Sequence, residues 1–140
     1  EEVMKNKVLI ITHGMFGAEL QKSAEMIMGE QENVDSMGLV PGQSVDDLRE
    51  KAFATLAKNE AEGAHTIIMC DLMGGSPSNV AMACLGQADC ELLVGLSMPM
   101  LIEVLQAIDD DEDTEALANA AADAARDGVK HFNRKLIKKG

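Results

Sequence analysis

Two polar residues, each placed at the end of an apolar run, are where this chain could do chemistry. His13 closes an apolar stretch inside Lys7 to Gly17, KVLIITHGMFG, where Val8 to Ile11 read as a strand buried on both faces and a helical pattern starts after the histidine. Asp71 follows Thr66 to Cys70 in the same way, and behind it runs Leu72-Met73-Gly74-Gly75-Ser76-Pro77-Ser78-Asn79. Open α/β sheets bind ligands outside the carboxyl ends of their strands, where the helices that follow aim unpaired N–H groups. If the first and third strands are neighbours, His13 and Asp71 share one crevice, however far apart they lie in sequence. A carboxylate accepting from one imidazole nitrogen fixes the tautomer, frees the other nitrogen as a nucleophile and stabilises the cation formed on attack. That pairing suits phosphoryl transfer to His13, a reaction that is mostly positioning and stabilisation of charge by fixed donors. The donors expected to hold the phosphoryl oxygens are backbone amides from Gly14 to Gly17 and from Gly74, Gly75 and Ser76, with Ser76 adding a hydroxyl. No Walker loop, dinucleotide fingerprint or metal-ligand spacing competes, and neither a metal nor a cofactor is expected.

The elements that must position these residues alternate along the chain. After His13, Phe16, Leu20, Ala24 and Ile27 recur at helical spacing up to Gly29. Asn33 to Leu39 is partly polar and suits an edge strand. Ser44 predicts the N-cap of a second helix with Asp46 and Asp47 in its first turn and a stripe of Val45, Leu48, Ala52 and Leu56. Beyond the third strand, Ser76 as N-cap and Pro77 at the first helical position predict a short helix to Leu85. Glu91 to Leu96 reads as the fourth strand, and Pro99 opens a helix with Leu101, Val104, Leu105 and Ile108 on one face. Asp109 to Asp113 reads as a solvated acidic loop without the spacing or glycine of a calcium loop. Thr114 to Asp127 predicts an alanine-rich helix with the stripe Leu117, Ala120, Ala121 and Ala124, closed by Gly128. The fold class is therefore α/β, a doubly wound sheet of four parallel strands in the order 2-1-3-4 with helices on both faces. Val129 to Asn133 fits either a last strand or a fraying helix.

Composition narrows the function. At 140 residues and 46% hydrophobic, the chain fits one domain over its whole length. Its formal charge of -12, from 24 acidic and 12 basic side chains, repels phosphate backbones and anionic membranes, so nucleic acid is excluded as a partner. No apolar run of eighteen residues and no signal peptide is present, which predicts a cytoplasmic protein without direct membrane insertion. Cys70, Cys84 and Cys90 read as reduced, buried thiols. Met4 could be the natural start, and residues 1–6 are expected to be disordered or foreign to the natural chain.

The phrases ITHGMFGAELQKSAEMIMGEQENV, VPGQSVDDLREK, DLMGGSPSNVA and GLSMPMLIEVL resemble the enzyme IIA component of the mannose family of the phosphoenolpyruvate-dependent sugar phosphotransferase system. The similarity runs from Lys7 to Phe132. It implies a phosphotransferase acting in sugar transport, in which His13 takes a phosphoryl group from the histidine-containing phosphocarrier protein and passes it to a IIB component. Asp71 matches the carboxylate that orients the active histidine, and Ser76 a serine lining the same pocket. The resemblance also implies an antiparallel edge strand, here Val129 to Asn133, that can be exchanged within a homodimer. Met15, Met73 and Ser78 stand where relatives commonly carry aromatic residues. Met15, Phe16, Met73 and Met98, with Met100, are expected to form an apolar rim for partners. Two other readings stay open: a phosphoryl shuttle to a dihydroxyacetone kinase, and a non-catalytic anion-binding α/β module.

Overall fold

A computed structural model describes residues 6–110 and 113–137. The chain runs β1 (Asn6–His13), α1 (Phe16–Met28), β2 (Val34–Leu39), α2 (Val45–Ala61), β3 (His65–Cys70), α3 (Ser76–Cys84), β4 (Cys90–Val94), α4 (Met98–Gln106), α5 (Thr114–Asp127) and α6 (Arg134–Ile137). All strand pairs are parallel, in the order β2-β1-β3-β4. Alternate strand residues face opposite sides of a sheet, so two cores form. Val8 and Ile10 of β1 pack with Ala24, Leu101, Val104, Leu117 and Ala121 from α1, α4 and α5. Leu9 and Ile11 pack with Leu48, Ala52, Leu56, Val80 and Ala81 from α2 and α3. Each buried Val, Leu and Ile side chain of β1 stabilises the fold by roughly 1.5–3 kcal/mol, so the strand is anchored on both faces and His13 is its last residue.

Several local expectations change. Asn6 is already part of β1, fully buried, with its Oδ1 accepting from the Thr114 hydroxyl at 2.6 Å, so the expected disorder fails there. Residues 1–5, including Met4, lie outside the described residues. In α1 the buried line is Gly17 and Ala24, with Leu20 and Met28 partly covered, while Phe16 and Ile27 face solvent. The cause is Gly17: a Cβ there would collide with Ile10 and Thr12, so the helix lies tightly on β1 along its glycine and turns its neighbours outward. Gly75, not Ser76, is the N-cap of α3. The buried line of α5 is Leu117, Ala118 and Ala121, and Ala120 and Ala124 are only half-buried. Asp109 and Asp110 are exposed, and Asp113 caps α5 by accepting from the Ala116 amide at 3.1 Å. Residues 111–112 of the same acidic run lie outside the described residues.

The tail forms no strand of this sheet. Among the described residues Val129 to Asn133 pairs with no strand, and residues 129–137 are exposed throughout. A strand needs a partner ladder, and none of the four strands supplies one to this segment. The three cysteines are free, and burial pushes their thiols up, to about 12 for Cys70 and about 11 for Cys84 and Cys90. Such thiols are poor nucleophiles at neutral pH. No helix among the described residues is long and apolar enough to cross a membrane.

Candidate active site

His13 sits where β1 outlasts its neighbour. The ladder between β1 and β3 ends at Ile11 and Cys70, so the His13 amide has no strand partner on that side. The Asp71 carboxylate takes its place: Oδ2 accepts from the His13 amide at 3.0 Å and lies 2.9 Å from His13 Nδ1. Oδ1 accepts from the Leu72 amide at 3.1 Å. Two residues from separate strands are thus held together at the carboxyl edge of the sheet.

Burial alone raises the Asp71 carboxyl, but hydrogen bonds from the amide and ring of His13 and from the amides of Asp71 and Leu72 outweigh it. The net effect holds Asp71 below its usual range, so it is ionised at neutral pH. An ionised carboxylate only accepts, so Nδ1 carries a proton, and in the neutral ring the lone pair is on Nε2. The imidazole is half exposed, at 49%, whereas the Asp71 side chain is 13% exposed. His13 and Asp71 therefore meet solvent unequally: the imidazole is open to a ligand, and the carboxylate is held beneath it.

The Nε2 edge faces the glycine turn. A Cβ placed on Gly75 would lie 3.2 Å from Nε2 and 3.3 Å from Cε1, and Gly75 holds φ +92 with ψ 174, a region essentially confined to glycine. Among the described residues, the amides of Gly75 and Ser76 donate to no protein acceptor, and they stand at the N-terminus of α3, where an anion is favoured. Three other expected donors are engaged. Gly14 donates its N–H to the Leu39 carbonyl at 2.8 Å, and Gly74 donates to Ser78 Oγ at 2.9 Å. Gly17 likewise donates to Thr12 Oγ1 at 3.0 Å. Replacing Gly75 by alanine is expected to lower stability by about 1–3 kcal/mol through backbone strain and to slow any transfer to Nε2. Chemical denaturation beside a transfer assay checks both effects.

Around this centre Met15, Phe16, Leu72 and Met73 are exposed apolar side chains. Met98 is half-buried against the core and Met100 is 2% exposed, so the rim is narrower than expected. A cleft of about 540 Å³ opens beside Gly14 and Met15, walled by Met37 and Gly38 of β2 and by Lys51, Ala54 and Thr55 of α2. Among the described residues no group of three or more His, Cys, Asp or Glu is arranged to hold a metal ion.

Three supporting residues escape a reading of the sequence. Thr12 is fully buried and caps the start of α1 through the bond to Gly17. Gly38 of β2 is pressed against the Gly14 carbonyl, where a Cβ would overlap it. Ser78 is 1% exposed and holds the glycine turn with its hydroxyl. A glycine inside a partly polar strand was the available signal for Gly38, since such glycines often mark close backbone approach.

Comparison with known proteins identifies the family. Residues 7–122 match the family model EIIA-man, described as the PTS system fructose IIA component. The chain is 38% identical over 133 residues to the mannose-specific EIIAB component of Escherichia coli K12, covering 94% of this chain and 41% of that protein. It therefore spans about two-fifths of the length of that relative. It is 31% identical over 99 residues to the fructose-specific EIIA component of Bacillus subtilis, covering 70% and 67% of the two chains. Among solved structures, the mannose/sorbose-specific IIA subunit from Enterococcus faecalis superposes with a TM-score of 0.80 at 28% identity, covering 93% of this chain and 96% of that one. With the family model matched over most of its length and the sheet order in common with IIA structures, the chain belongs to the EIIA-man family of phosphotransferase-system IIA components.

Proposed function

We propose that this chain is a cytoplasmic phosphocarrier in sugar uptake, with His13 Nε2 as the atom that carries the phosphoryl group. The observation that carries the reading is the 2.9 Å contact of Nδ1 with Asp71, which leaves Nε2 with its lone pair, half exposed, facing the glycine turn. Nε2 attacks the phosphorus of a phosphohistidine on the histidine-containing phosphocarrier protein; an N–P bond forms here as the donor's breaks. The donor's electron pair returns to its own ring. Asp71 stabilises the charged imidazole, and the amides of Gly75 and Ser76 receive the equatorial oxygens. The reverse sequence passes the group to a IIB component. A net charge of -12 favours partners that present basic groups, while Met15, Phe16 and Met73 supply apolar contact that excludes water from the transfer.

Incubation with labelled phosphoenolpyruvate, enzyme I and the phosphocarrier protein tests this. Acid-labile, alkali-stable label on His13 supports the reading, and its absence favours an anion-binding module. Offering the labelled chain to IIB proteins and to dihydroxyacetone kinase subunits then separates sugar uptake from the kinase shuttle.

The tail supports assembly as a homodimer. Val129, Phe132, Leu136 and Ile137 form a run of exposed apolar side chains along the tail of a single chain. Pairing of Val129 to Asn133 along a second chain's sheet would cover it. Light scattering should give twice the chain mass, and Phe132→Asp should give the monomer; a wild-type monomer at micromolar concentration would refute the assembly.

A further inference from the structure

Building on the phosphocarrier reading, we propose that Ser78 is a positioning residue for His13, acting through the Gly74-Gly75 turn. Ser78 lies in the first turn of α3 and is 1% exposed. Its hydroxyl works in both directions: Oγ accepts from the Gly74 amide at 2.9 Å and donates to the Gly75 carbonyl at 3.1 Å. The same carbonyl accepts from the Asn79 amide at 3.1 Å, so the turn is tied to the helix at two points.

The turn needs that tie. Gly74 and Gly75 hold φ of +95 and +92, and two adjacent glycines have many other conformations open to them. One of the two, Gly75, lies beside the Nε2 and Cε1 edge of His13, where an added Cβ would come within 3.2 and 3.3 Å, closer than an ordinary contact. The amides of Gly75 and Ser76 are carried on the same backbone. A shift of the turn therefore moves the proposed phosphoryl donors relative to the nucleophile, and a misplacement of about 1 Å can slow a positioned reaction about 100-fold. The bland reading of Ser78 is a serine satisfying backbone groups at a helix start, which would affect folding alone. What sets it apart is direction: its bonds run back into the turn that faces the imidazole, and Ser76, the serine expected in the site, makes no such side-chain bond among the described residues.

Because Gly74 and Gly75 are exposed, water can replace the lost partner in Ser78→Ala, and that variant should fold. The expected result is a roughly tenfold slower labelling of His13 at saturating donor, an unchanged half-saturating donor concentration, and recovery to within about threefold in Ser78→Thr. By NMR, Ser78→Ala should speed hydrogen exchange of the Gly74 amide and shift the ring nitrogen resonances of His13. Labelling of Ser78→Ala at the wild-type rate, or a defect confined to half-saturation, overturns the proposal. Unchanged Gly74 exchange and ring resonances overturn it too, even without a working transfer assay. Failure of the wild type to label is a separate result and refutes the phosphocarrier reading itself.

Discussion

Alanine at position 13 is expected to reduce phosphoryl acceptance to background while leaving the melting temperature within a few degrees of wild type. The two effects separate because the imidazole is half exposed and belongs to neither core, so its removal opens no buried cavity. Asp71 would keep the backbone donors of positions 13 and 72, so no carboxylate is stranded. No other histidine can take over. His65 begins β3, at the opposite edge of the sheet from the site, and His131 lies on the exposed tail. Label that survives in His13→Ala, on either of these residues or elsewhere, would move the phosphoryl site away from β1.

Replacing Asp71 by alanine should keep labelling but slow it by roughly 10- to 1000-fold, the span expected when an orienting and charge-stabilising group is lost. Without the carboxylate, Nδ1 no longer holds its proton by necessity, and the fraction of rings with Nε2 available falls. Asparagine is a sharper probe, since its amide can donate to Nδ1 and favour the unproductive tautomer. Acid should expose the same interaction. The folded-state value of Asp71 lies below the ordinary carboxylate value of about 3.9, so its bonds to His13 contribute stability fully above that pH. The contribution is lost as pH falls through the lowered folded value. Melting temperatures of wild type and Asp71→Ala should therefore differ at neutral pH and converge in stronger acid. Equal rates of labelling in the two proteins would remove Asp71 from the site.

Much of this architecture is legible in the residues. Val8 to Ile11 and Ile67 to Cys70 are uninterrupted apolar runs because both faces of a central parallel strand are covered, and that pattern survives in sequence. Once those strands adjoin, residues at their carboxyl ends come together, so the contact of His13 with Asp71 was foreseeable as well. The supporting hydrogen bonds were not. Whether the amide of Gly14 or Gly74 is available depends on where Leu39 and Ser78 come to rest, which is a matter of tertiary approach rather than of residue type. The face of α1 was missed by one position for a related reason. Hydrophobicity favours Phe16 and Ile27 as buried, but close contact with β1 selects the residue lacking a side chain, Gly17. At the tail the apolar residues were visible, yet a strand's partner cannot be read from the strand itself.

The packing of Gly128 against Pro99 has a wider meaning. A Cβ on Gly128 would lie 2.7 Å from the proline ring, and Pro99 stands at the beginning of α4, just beyond the carboxyl end of β4. The departing polypeptide thus leaves from the same end of the sheet that bears His13. Any partner that binds the tail would therefore sit at the same pole of the molecule as the imidazole.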